Sequence, residues 1–276
     1  MALMRTIFIK KLSNTMETKN KYSLDVWEDY YKNEKKIHIQ PKAGFFQSYD
    51  LFLCDSILGR YLPHNQGNKQ DMKICEIGFG DGKLLKKIAD RFNYEHYGIE
   101  YSKEAIQTAT KGVHGILGDI FDEQLSNQHK EQFDVVFSYG FIEHIIPTQK
   151  AVQAHLKLVK KGGLLVLQIP RFKQFNWLKA RLFRPDLLPL HNLTIMEQEV
   201  LTVLGQQEGL EELFCKNYGT LKLRLPMAKK DSWYYVLKTV CLLEYVFNPL
   251  FRILFGDRRF ETRLFSPAVM YIGKKA

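Results

Sequence analysis

A chain of 276 residues with 45% apolar and 25% charged side chains is long enough for one globular domain with an elaborated lid or small appendage, and needs no covalent staple. Its net charge of +10 suits an acidic partner, an anionic surface or a solvated lysine-rich exterior, and selects none of them alone. Cys54, Cys75, Cys215 and Cys241 form no paired or ligand-spaced pattern; this argues against a disulfide framework, indicates no metal site, and favours a reducing, cytoplasmic compartment.

Residues 1–69 read as an N-terminal tail and helical lid. Arg5 interrupts the first apolar run, which argues against a secretory signal. Trp27–Tyr31 and Phe45–Leu62 have helical patterning, and the aromatics Trp27, Tyr30 and Tyr31 suit either a cover over a ligand or ordinary core packing.

From Met72 to Pro170, short apolar runs alternate with helical stretches, the rhythm of βαβ units in a parallel sheet. Strands are expected at Met72–Ile77, Tyr94–Ile99, Val113–Leu117, Phe133–Ser138 and Leu164–Ile169. Helices are expected at Lys83–Phe92, from the N-cap Ser102 to about Thr110, and from Pro147 to Val159. Lys160-Lys161-Gly162-Gly163 supplies the turn into the fifth strand.

Beyond Pro170 the rhythm changes. Residues 171–193, with Pro185 and Pro189, read as an inserted cap, after which Thr194 and Glu197 form a capping-box pattern opening a helix to about Glu208. Leu210–Tyr218 and Pro267–Ile272 complete the strand set, separated by a second, aromatic-rich insertion at 219–265.

The segment Glu76-Ile77-Gly78-Phe79-Gly80-Asp81-Gly82-Lys83 bears most directly on function. A strand that runs into a glycine bend lets a ligand's polar atoms approach backbone N–H groups, and the glycines are expected to leave room that a Cβ would fill. Lys83 stands where a dinucleotide fingerprint requires its third glycine, and the Gly-Lys-Ser/Thr of a triphosphate cradle is absent.

The pattern Glu-x-Gly-x-Gly-x-Gly resembles motif I of the class I S-adenosylmethionine-dependent methyltransferases, and residues 70–170 follow that family closely. The resemblance implies a Rossmann-like α/β fold: a seven-stranded, mostly parallel sheet with helices on both faces, an N-terminal helical lid and C-terminal insertions within one domain at 70–276. It implies S-adenosylmethionine as cofactor, held by Glu76, Gly78, Gly80 and Gly82. Glu100, with Tyr101 after it, would accept from the ribose hydroxyls; Asp119 would accept from the adenine amino group and Ile120 would line the ring. Ser138 and Tyr139 would close over the methionine part.

His144, just beyond the fourth strand, is the first candidate for a general base, and His191 in the cap is the second; a purely structural role is the alternative for each. Ser138-Tyr139-Gly140-Phe141 replaces the Asn/Asp-Pro-Pro-Tyr/Phe of nucleic-acid amino methylation, and no Pro-Cys dipeptide is present for cytosine chemistry. The expected acceptor is therefore an O or N nucleophile on a small molecule or a glycan or lipid precursor. A non-catalytic S-adenosylmethionine-binding protein, and an RNA methyltransferase suggested by charge alone, are the alternatives. Residues 233–256 are long and apolar but broken by Lys238, Glu244, Pro249 and Arg252, so two short helices meeting at Pro249 are expected rather than a membrane span. They fit either an interfacial segment contacting a membrane peripherally or a capping or subunit contact.

Overall fold

The computed structural model describes residues 47–225, 230, 232–258 and 261–276. The helix expected at Trp27–Tyr31, with its lid aromatics, lies outside them.

Seven strands form one sheet: β1 (Lys73–Ile77), β2 (Glu95–Glu100), β3 (His114–Leu117), β4 (Phe133–Tyr139), β5 (Val159–Pro170), β6 (Glu211–Tyr218) and β7 (Ala268–Lys274). Their order is β3-β2-β1-β4-β5-β7-β6. The first five run parallel, while β7 lies antiparallel to both β5 and β6. Chain order reverses between β1 and β4, and in open α/β sheets the crevice at such a switch point is where ligands bind.

Alternation along the strands builds two cores, one on each face. Cys75 and Ile77 of β1 face one way with Val136 of β4; Ile74, Val135 and Phe137 face the other. The second face is covered by α1 (Tyr49–Tyr61) and α2 (Lys83–Phe92), which bury Leu53, Ile57, Leu85, Ala89 and Phe92. On the first face lie α4 (Glu123–Gln128), α5 (Thr148–Leu158) and α7 (Gln198–Gln207). Thus the described helix just ahead of the sheet, α1, is a core helix, with Leu53 and Ile57 fully enclosed.

Local chemistry explains where the elements depart from expectation. The helix capped by Ser102, α3 (Lys103–Gln107), ends three residues before Thr110, because the backbone N–H and Oγ1 of Thr110 both donate to Asp81 O in the glycine bend, at 2.8 and 2.7 Å. Helix α4 was not anticipated; it is too short to show periodicity and starts on Asp122, whose side chain accepts from Gln124 N. The capping box does not form. Glu197 is engaged by Arg171 Nη2 at 3.0 Å and Lys173 Nζ at 3.5 Å, and Asn192 caps a separate 3-10 turn at Leu193–Ile195. The Lys-Lys-Gly-Gly turn is a bulge inside β5, where a Cβ on Gly163 would meet Asp134 O at 2.9 Å.

The segment 171–193 contains α6 (Gln174–Phe183) and a 3-10 turn at Pro185–Leu190. Between β6 and β7 lie α8 (Ser232–Val240) and α9 (Glu244–Phe255), which meet at a 3-10 turn at Cys241–Leu243 and not at Pro249; that proline lies inside α9.

Candidate active site

The β1 strand ends in a bend where Gly78, Gly80 and Gly82 all take left-handed φ, of 71°, 56° and 71°. Side chains rarely adopt that conformation, so these residues are glycine first for backbone reasons. The expectation that a Cβ would occupy ligand space is corrected at two positions. At Gly78 a Cβ would come 2.8 Å from Phe141 Cδ2, and at Gly82 it would come 3.0 Å from Val113 Cγ2. The protein's own side chains fill both places.

Glu100 closes the loop from the neighbouring strand. Its Oε2 accepts from Gly80 N at 3.1 Å, and its Oε1 accepts from Tyr101 N and Ser102 N at 3.0 and 3.1 Å. A buried carboxylate thus joins the glycine bend to the start of α3, with lone pairs remaining for hydroxyl donors. Asp119 follows β3, where its Oδ1 accepts from Phe121 N at 2.9 Å and fixes the turn carrying Ile120.

A cleft of about 760 Å³, counting its solvent-open mouth, lies at the carboxyl ends of these strands. Ile77, Gly78, Glu100, Asp119, Ile120 and His144 are among its walls. The cleft brings together Gly78, Glu100, Tyr101, Asp119, Ile120 and His144 of the expected set; Glu76, Gly80, Gly82, Ser138, Tyr139 and His191 do not line it. Glu76 is buried behind the bend, where burial first, then Glu100 and Asp81, push its carboxyl well above the usual range. Tyr139 belongs to the opposite core, because neighbours on a strand point to opposite faces.

Phe141 and Glu143, which flank the expected site residues in sequence but were assigned no role there, belong to this region as well. Phe141 lines the cleft and lies against Gly78. Glu143 is fully buried, neither carboxylate oxygen has a hydrogen-bond partner, and burial lifts its pKa to about 8. The only sequence signal for it was its adjacency to His144.

His144 Nδ1 lies 2.7 Å from Leu190 O, and His191 Nδ1 lies 2.6 Å from Leu187 O. A carbonyl only accepts, so each Nδ1 carries the proton and leaves Nε2 as the basic nitrogen of the neutral ring. The two rings stand 4.4 Å apart between centroids, and His144 Nε2 is 3.7 Å from Glu143 Oε1. Cap and strand end therefore meet: Glu143, His144 and His191 each offer a ligand atom within 4.8 Å of the others. Sequence spacing indicated no metal site, yet this trio, with both rings oriented by carbonyls, is able to take up a proton or a divalent ion.

The comparisons agree with this architecture. A family model described as a methyltransferase domain matches residues 68–238. A ubiquinone biosynthesis O-methyltransferase of Alkalilimnicola ehrlichii is 30% identical over 135 residues, 47% of this chain and 54% of that protein. Phosphoethanolamine N-methyltransferase 2 of Caenorhabditis elegans is 28% identical over 104 residues, 36% of this chain and 24% of that protein. The chain thus spans about half the length, or less, of these curated relatives. The solved structure of a SAM-dependent methyltransferase from Archaeoglobus fulgidus superposes with a TM-score of 0.53 at 17% identity, covering 92% of this chain and all of the other, which bears on fold alone.

Proposed function

The chain belongs to the methyltransferase-domain family, and from that premise we propose that it transfers the methyl group of S-adenosylmethionine to an oxygen or nitrogen of a small molecule or of a glycan or lipid precursor. The observation that carries this reading is the shared cleft: the glycine bend, Glu100, the Asp119–Ile120 turn and His144 border one space at the sheet's switch point.

The residues present fit the cofactor. Glu100, held by three backbone N–H groups at the cleft wall, would accept from the ribose diol, Asp119 would accept from the adenine amino group, and Ile77, Ile99 and Ile120 supply apolar walls. When bound, S-adenosylmethionine supplies a methyl group on a sulfonium, whose departure as a neutral thioether needs no acid. The protein's remaining tasks are alignment, exclusion of water and removal of the acceptor's proton.

We assign the last task to His144. Leu190 O holds its Nδ1–H, so Nε2 receives the acceptor's proton, with Glu143 Oε1 3.7 Å away. His191 lies behind His144, with its ring edge against Phe172 at 4.9 Å, and supports that ring from the cap.

Calorimetry of the full chain with S-adenosylhomocysteine tests the reading, followed by transfer of labelled methyl to phenolic and amine acceptors. Saturable binding and a labelled product support it. No binding at millimolar ligand removes it. Binding without product across the acceptor panel makes the chain a non-catalytic binding protein.

A further inference from the structure

Helices α8 and α9 both present apolar side chains to water, and in α9 the buried side chains are polar instead. In α9 the side chains that are buried are Glu244 and Asn248, while Val246, Ile253 and Leu254 are 64%, 70% and 60% exposed. The buried polar pair ties the helix down: Glu244 accepts from Leu223 N and pairs with Arg224, and Asn248 Oδ1 accepts from Tyr49 N at 3.2 Å. Trp233 and Val236 of α8 are exposed too, as is Leu242 in the linking turn. The surface extends onto α6, whose Phe183 meets Trp233 edge-on at 5.2 Å and whose Leu182 is 62% exposed. Soluble monomers rarely leave contiguous apolar surface on this scale facing solvent.

We propose that this face docks on the surface of an anionic phospholipid bilayer, with α8 and α9 lying in the interface plane. Charge decides between lipid and a second copy of the chain. Arg181 of α6, Lys238 of α8, and Arg258 and Arg263 in the residues that follow α9 are all exposed. Acids of the same stretch are engaged by cations: Glu244 is buried against Arg224, Asp257 pairs with Arg60, and Asp186 pairs with Arg184. A two-fold contact would bring together two copies of one positively charged surface, whereas lipid phosphates neutralise it. No described helix is long and apolar enough to cross a bilayer, so the contact is lateral. This inference is independent of which acceptor is methylated.

Co-sedimentation of the full chain with sucrose-loaded vesicles of phosphatidylcholine, alone or mixed with phosphatidylglycerol, tests it. The chain is expected to pellet with the mixed vesicles at low salt and to be released as salt rises. Val246→Asp with Ile253→Asp should reduce binding about tenfold or more. Lys238→Glu with Arg258→Glu should remove the preference for phosphatidylglycerol. Unchanged far-ultraviolet dichroism and S-adenosylhomocysteine affinity in each variant shows that it folds. The proposal is overturned if the unaltered chain stays in the supernatant with both vesicles, or if the Asp variant pellets as the unaltered chain does. A concentration-dependent dimer that the Asp substitutions abolish, without vesicle binding, would assign the face to a second copy instead.

Discussion

Replacing Glu100 tests both the bend and the cofactor it is proposed to hold. The carboxylate takes one N–H from Gly80 on its Oε2 and two, from Tyr101 and Ser102, on its Oε1. Two ribose hydroxyls donating to the same group would each contribute roughly 1.5–3 kcal/mol as hydrogen bonds to a charged acceptor. Allowing for water that enters in its place, Glu100→Ala should cost about 3 kcal/mol of cofactor affinity, roughly a hundredfold in Kd. Glu100→Gln is more informative still. Its amide oxygen would satisfy the pair at Tyr101 and Ser102, which sets the NH₂ against Gly80 N–H and costs about 1–3 kcal/mol at the bend. Calorimetry with S-adenosylhomocysteine gives the affinities, and urea unfolding of the ligand-free variants separates lost contacts from lost fold. If Glu100→Ala binds within about threefold of the unaltered chain, less than 1 kcal/mol, the ribose assignment fails.

Three further outcomes are expected. Burial alone would raise the Asp50 carboxyl, but Lys222 Nζ at 2.8 Å and Arg224 at 3.9 Å outweigh it and lower the pKa to about 2. A depressed carboxyl stabilises the fold above its unfolded value near 4 and loses that as pH falls through about 2. Urea unfolding between pH 5 and pH 2 should therefore show a component of about 2 kcal/mol that Asp50→Asn abolishes. Gly78→Ala combines a φ of 71° with a Cβ 2.8 Å from Phe141, and should lower Tm and weaken S-adenosylhomocysteine binding together. His144→Ala should reduce kcat by about 10²–10⁴-fold with cofactor affinity nearly unchanged; unchanged turnover would show that His144 only supports the cleft wall.

Legibility in the sequence followed the range of the interactions involved. Strand runs, the glycine bend and the start of α2 depend on neighbours within a few residues, and they stand close to where the pattern places them. The end of α3 does not, because Thr110 is drawn off by Asp81 across 29 positions. The capping box failed for the same reason: Glu197 had the right spacing from Thr194, but Arg171, almost wholly buried, claims its carboxylate. In the site, Glu100 and Asp119 were readable as strand-end acids after a motif. The grouping of Glu143 and His144 with His191 was not, since it depends on the Leu190 carbonyl reaching His144 Nδ1 from 46 residues away.

Strand β7 has a consequence for assembly of the molecule. It slots between β5 and β6, so the sheet's right-hand half has no continuous ladder until residues 268–274 arrive. Until then β5 presents a bare edge of Leu164 to Ile169, and β6 pairs with nothing among its sheet neighbours. Edges of that kind invite pairing with other chains, and closure across so long a separation is slow. A shortened chain that stops before Ala268 should thus clump during synthesis even with the entire cleft encoded upstream.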